Sequence, residues 1–291
     1  MIEQLLEPLQ YAFFQRALAA SVLAGVVCAV VGSYVVLKGM AFIGDAIAHA
    51  AFPGVVAAFI FGGPYVVGGG IAAFVTAISI GWVSRRARLR MDTAIGVLFA
   101  GSFAFGVLLF SSIRGFVGDL MSFLLGNVLA ISESELVALL VLGLIVLGTV
   151  ALLWKELLYS TFDPQGAAAS GLRVGLLEYL FLGLVAVTIV VSIQAVGIIL
   201  VVAMLVTPAA TAQLLTVRFT RLMGVAALIG ATTAIAGLYV SYWFDVASGA
   251  TIVLTQSLVF AIALLLSPRS GLLVRREGPG AVDAGGAPVG G

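Results

Sequence analysis

The only histidine in the chain is His49, and a carboxylate, Asp45, stands four residues before it in Gly44-Asp-Ala-Ile-Ala-His-Ala-Ala-Phe-Pro-Gly54. Positions i and i+4 of a helix share a face with Cβ atoms ~6 Å apart, so both side chains can turn toward one cation. Carboxylate oxygen and imidazole nitrogen reach a divalent transition metal at ~2.0–2.2 Å. An ionisable residue inside a membrane span costs ~2.5–3.5 kcal/mol on insertion scales. That is a sizeable part of the ~5–15 kcal/mol that typically holds a domain folded. Such a group needs a partner or a task. The competing reading is an intrahelical Asp–His hydrogen bond near the cytoplasmic interface, with Asp45 reaching the headgroups.

Pro53 adds to the pair. It has no N–H, so the carbonyl of His49, four residues back, loses its helical donor and becomes a third candidate ligand or a water anchor. Ala46, Ala50 and Gly54 form a small-residue face that lets another helix come close. One copy of the chain supplies two side-chain ligands, too few for a closed metal site. A two-fold homodimer would supply two aspartates and two histidines.

The elements that must position these residues follow from composition. Hydrophobic residues make up 62% of the 291, charged residues only 9%, and the mean hydropathy is +1.24. A soluble domain needs far more charge to cover its surface. Runs of about 20 apolar residues match the bilayer core and recur along most of the chain. The reading is an all-α bundle of transmembrane helices. Charge-free stretches predict spans at Ala17–Leu37, Gly44–Gly62, Tyr65–Val83, Ala94–Ile113, Leu136–Trp154, two within Tyr179–Val217 with a turn near Ser192–Gly197, Leu222–Phe244 and Val246–Pro268. That makes nine, and Phe116–Ile131, apolar in patches, reads as a short interfacial or re-entrant helix, so eight to ten also fit. Residues 1–268 form the permeation domain; the Gly-rich residues 269–291 read as a disordered cytoplasmic tail.

Placing Arg85, Arg86, Arg88 and Arg90 in the cytoplasm puts twelve basic residues inside and only Arg16 and Arg114 outside. The N-terminus is then outside and the C-terminus inside. Glu3 and Glu7 precede the first basic residue, so the first span is expected to stay in the mature protein. Net charge is +1, which argues against a nucleic-acid partner, and the single Cys28 reads as a small buried hydrophobe.

Other polar groups carry less. Gln194, Thr207, Gln213 and Gln256 sit in or near spans and read first as interhelical hydrogen-bonding groups, second as path lining. Pro208 frees the carbonyl of Met204, which makes the pair a helix kink or a gate. Glu133 and Glu135 read as solvated outer loop charges, or as a docking surface for a binding protein. No Gly-x-x-x-x-Gly-Lys-Ser/Thr loop occurs, so ATP chemistry belongs on another subunit and the chain itself is not read as an enzyme. The longest inside connection, Lys155–Glu178, is the natural contact for that subunit. Within it, Asp163 is placed to cap a short helix with Pro164 at its first position; the equal alternative is an ordinary connecting loop.

Leu37-Lys-Gly-Met-Ala-Phe-Ile-Gly-Asp-Ala-Ile-Ala-His-Ala-Ala-Phe-Pro-Gly54 resembles the signature region of manganese/zinc/iron ABC transporter permeases. Phe162-Asp-Pro-Gln165 and Ala195-Val-Gly-Ile-Ile-Leu-Val-Val-Ala-Met-Leu-Val-Thr-Pro-Ala-Ala-Thr-Ala212 are similar to two further motifs of that family, and the match runs over about residues 10–268. The resemblance implies a type II importer fold, related to vitamin B12 and siderophore permeases. It implies two permease copies, two cytoplasmic ABC ATPase subunits and an extracytoplasmic metal-binding protein, in a prokaryotic plasma membrane. The family's path-lining Asp and His match Asp45 and His49, and its ATPase-coupling segment matches Phe162–Leu172. Gln165 departs from the acidic residue expected there. No cofactor is implied; the metal, manganese or zinc with iron as a third choice, is cargo, and an Asp/His site with nearby carbonyls leans to manganese. The alternative from another class is a stand-alone secondary carrier or channel for divalent metals.

Overall fold

The computed structural model describes residues 7–113 and 128–267. Twelve α-helices are described. They are α1 (Ala12–Leu37), α2 (Ile43–Ala50), α3 (Phe52–Phe61), α4 (Tyr65–Ala87), α5 (Met91–Ser111) and α6 (Glu133–Leu152), then α7 (Trp154–Phe162), α8 (Pro164–Ala169), α9 (Val174–Val196), α10 (Ile198–Leu215), α11 (Phe219–Phe244) and α12 (Ser248–Leu266). Taking α2 and α3 together, nine segments among the described residues are long and apolar enough to cross a bilayer. The expected interfacial segment falls mostly on residues 114–127, outside the described residues; its end, Val128–Ala130, is a single 3₁₀ turn. The expected tail at 269–291 also lies outside them.

Several boundaries differ from the charge-free runs for one reason. Charged residues occupy the terminal turns of the helices, where headgroups and the helix dipole accept them. Arg85 and Arg86 lie in the last turn of α4, which runs on to Ala87 rather than stopping at Val83. Helix α9 starts at Val174, one turn before Glu178, which follows directly on its first turn. The long run from Tyr179 divides as expected, at Gly197, whose φ of 82° is open to glycine and strained for other residues.

Helix α1 is the centre of the bundle and packs on α6, α9, α10 and α11. Glycines set its close approaches. A Cβ on Gly25 would stand 2.9 Å from the carbonyl oxygen of Gly230 in α11. Gly32 lies against the backbone of Leu205 in α10. Helices α2 to α5 pack among themselves on one side, α10 to α12 on the other, and α9 bridges to both. The outward faces of α4, α5 and α12 expose Ile71, Val75, Val97, Leu108, Leu254 and Leu258, the apolar exterior that lipid requires. The small-residue face expected around Ala46, Ala50 and Gly54 is used: Ala46 and Ala50 are buried, and Gly54 meets Gly68 of α4 backbone to backbone.

Candidate functional site

Helix α2 is eight residues long, and all of them are buried except Asp45 and His49. The pair therefore occupies the one open strip of an otherwise enclosed helix. Asp45 lies in the first turn and His49 in the last, so the carboxylate faces the positive end of the helix dipole and the imidazole the negative end. Their side chains are 43% and 35% exposed, and His49 Nε2 lies 3.4 Å from Asp45 Oδ1. Two donors ~2.1 Å from one ion and 3.4 Å from each other subtend roughly 108° at it, since half the separation over the bond length is ~0.81. The pair is thus spaced as two neighbouring ligands of one cation. Among the described residues no group of three or more His, Cys, Asp or Glu side chains gathers at one point.

The helix ends at Ala50 with Ala51 as its cap, and α3 begins with Pro53 at one of its first two positions. Ala51 N–H still donates to Ile47 at 3.1 Å, and Val55 N–H to Ala51 at 3.0 Å. The bond missing between them is the one that Pro53 cannot give to the His49 carbonyl.

Two residues that sequence reasoning missed flank the imidazole. Phe103 of α5 meets the His49 ring edge-on at 5.5 Å, and Phe99 lies 5.7 Å away. They stack on each other at 6.1 Å. The two rings form an aromatic wall beside the imidazole, whose Nε2 lies toward Asp45. Their i, i+4 spacing in α5 marks a common face, yet nothing local ties that face to His49.

Met204 and Pro208 lie in α10, both buried, and the helix runs unbroken through the proline. Thr211 donates its hydroxyl to the Thr207 carbonyl at 2.7 Å. Gln256, expected to bond between helices, is fully buried with neither amide atom hydrogen-bonded. The reading of Glu133 and Glu135 as loop charges is corrected: Ser132 and Glu135 form a capping box that starts α6. Ser132 N–H donates to Glu135 at 2.8 Å, and Glu135 N–H returns a bond to the serine hydroxyl at 3.2 Å. Glu133 lies 3.8 Å from Arg16, which puts the start of α6 and the start of α1 at the same end of the bundle.

At the opposite end of α1, the Phe162–Gln165 segment is exposed throughout. Asp163 caps α8 as expected, its carboxylate accepting from Gly166 N–H at 2.8 Å with Pro164 in the first turn. Phe162 is 63% exposed yet still touches Phe219 edge-on at 6.2 Å. Phe219 in turn packs on Tyr34 of α1 at 4.7 Å and on Trp154 of α7 at 5.4 Å. Helix α7 is thus seated on the central helix through a contiguous aromatic cluster. Lys38 lies over the Phe181 ring at 5.6 Å. Burial lowers its pKa, with Glu178 pulling the other way. A groove of about 410 Å³, lined by Leu37, Phe162, Gln213, Val217 and Phe219, opens beside the segment.

Comparisons with known proteins bear on this arrangement. The chain is 47% identical over 267 residues to the manganese transport system membrane protein MntC of Halalkalibacterium halodurans, covering 92% of this chain and 91% of that one. It is 40% identical over 273 residues to the chelated iron transport system membrane protein YfeD of Yersinia pestis, covering 94% and 92%. The fold matches PsaBC from Streptococcus pneumoniae, solved in complex with a Fab, with a TM-score of 0.81 at 35% identity over 93% of this chain and 98% of that one. The model of the ABC 3 transport family matches residues 10–267, which takes in the Asp45–His49 helix, the Phe162 segment and all nine spans, and the chain belongs to that family.

Proposed function

We propose that the chain is the membrane-spanning permease subunit of an ATP-binding cassette importer for divalent transition-metal ions, with Asp45 and His49 on the ion's path. The observation that carries this reading is the pair itself: the only two open positions of α2, 3.4 Å apart, in a segment too apolar to hold a carboxylate without use. A second copy related by a two-fold axis would complete the coordination to two Asp and two His. Manganese is the first choice of cargo, because a manganese system gives its name to the relative at 47% identity and because carboxylate ligands suit a harder ion. Iron follows from the Yersinia relative, and zinc from the ligand types.

Energy comes from separate ATPase subunits that dock on the Phe162–Leu172 segment, whose exposed Phe162 reaches the core through Phe219. Metal arrives from an extracytoplasmic binding protein at the other face. The N-terminus lies outside and the C-terminus in the cytoplasm of a multi-pass plasma-membrane protein, in keeping with the distribution of basic residues. The gate belongs, on this reading, to the Met204–Pro208 turn of α10, where one helical hydrogen bond is lacking.

Proteoliposomes holding the full-length chain with and without its ATPase test the assignment. Import of Mn²⁺ that requires both the ATPase and ATP is the expected result. Flux through the chain alone, without nucleotide, would replace it by the stand-alone carrier or channel.

A further inference from the structure

Helix α2 packs on α4, α5, α9 and α10, and we propose that Leu205 of α10 is a positioning residue for the Asp45–His49 pair. The proposal rests on the reading of that pair as an ion site. Leu205 is fully buried. On one side its backbone lies against Gly32 of the central helix, where a Cβ would come within 2.8 Å of the Leu205 carbonyl carbon and 3.3 Å of its Cα. Its side chain extends the other way, and Cδ2 would stand 2.8 Å from a Cβ on Gly44, the residue beside Asp45. Two glycines thus clasp one leucine, backbone on one face and side chain on the other.

The distance between α1 and the ligand helix is therefore one leucine side chain. Helix α2 has little means of holding that position itself. It is eight residues long and ends where Pro53 withholds a hydrogen bond, so packing fixes its place. Gly44 precedes Asp45 directly, and His49 follows one turn later. A shift of α2 against Leu205 moves both donors together, toward or away from the dimer axis that the four-ligand site requires. Leu205 also adjoins Met204, whose carbonyl has no helical donor because Pro208 lies four residues on. A bend of α10 at that turn would carry Leu205, and α2 with it.

The test is a double-mutant cycle on the full-length chain in lipid nanodiscs, with Mn²⁺ alone as probe. Gly44→Ala adds a methyl against Cδ2, and Leu205→Ala removes the group that it meets. Misplacing a positioned constellation by ~1 Å costs up to ~10²-fold, and each single variant is expected to weaken Mn²⁺ binding about tenfold. Each should also speed amide hydrogen exchange across residues 45–51. The double variant is expected to regain both, to within about threefold of the parent, as contacting residues do when one change relieves the other. Leu205→Met, close in volume, should keep binding within about threefold. Losses that simply multiply in the double variant would make Leu205 a core filler and overturn the proposal. Recovery of exchange without recovery of Mn²⁺ binding would overturn it as well. Asp45→Ala in the same assay separates the two ideas: retained binding there removes the ion-site reading and the proposal with it, whereas lost binding beside multiplying losses removes the proposal alone.

Discussion

Gly32→Ala measures how much of the fold depends on backbone contact at the bundle centre. An alanine Cβ at this position meets the carbonyl oxygen of Leu205 in hard overlap, the carbonyl carbon at 2.8 Å and Cα at 3.3 Å. All three are backbone atoms, so no side-chain rotation relieves them. Ordinary carbon contacts lie at ~3.5–4.0 Å; the carbonyl carbon alone would require α1 and α10 to part by ~0.7 Å, and the overlapped oxygen requires more. Overpacking of this kind costs ~1–3 kcal/mol. Gly96→Ala and Gly148→Ala are the controls, because a Cβ at either site meets nothing within 4 Å. All three variants gain the same helix propensity, ~0.5–1 kcal/mol for replacing a mid-helix glycine. That common term cancels, and Gly32→Ala should fall below the controls by the full ~1–3 kcal/mol. Unfolding of the purified chain by denaturing detergent in mixed micelles supplies the comparison. If Gly32→Ala is as stable as Gly96→Ala, the helices are not in backbone contact there, and the close-packed centre is wrong.

Other outcomes follow from the local chemistry. Asp163→Ala removes the cap of α8 and should cost ~0.5–2 kcal/mol locally. In the assembled transporter it should lower Mn²⁺ import per ATP hydrolysed while metal binding stays intact; an unchanged ratio would separate α8 from energy coupling. Ser132→Ala removes the hydroxyl arm of the capping box at the start of α6, leaving the backbone N–H on Glu135, and should destabilise the chain by about 1 kcal/mol, read by the same detergent titration. Ser134→Ala, two residues past the cap and losing only its hydroxyl contact with Ser132 at 3.1 Å, should have less than half that effect.

Much of the architecture was legible because a bilayer imposes a rule on every crossing. Each span has to be a long apolar helix, so charge-free runs located nine of them, and the turn expected near Ser192–Gly197 falls at Gly197. The Asp163–Pro164 start of α8 and the Asp45–His49 face were legible for a related reason: their geometry is set within a single turn of chain. Helix ends were misplaced where Arg85, Arg86 and Glu178 extend helices past the hydrocarbon, since charge marks the edge of the membrane and not the end of a hydrogen-bond ladder. The capping box at Ser132 was present as a Ser-x-x-Glu signature but was read only for its charge. What local pattern does not carry is contact between distant turns. Phe99 and Phe103 look like any lipid-facing pair until α5 is laid beside His49. Likewise Leu205 is one leucine among many until Gly32 and Gly44 are seen to close on it.

Uptake of Mn²⁺ by cells that carry Asp45→Ala or His49→Ala in place of the native chain is the most direct measurement of the central claim. Both variants should insert in the membrane at native abundance and lose uptake by at least about tenfold, as expected for the loss of a first ligand or its orienting partner. Native uptake by both variants would show that the passing ion does not touch these two side chains.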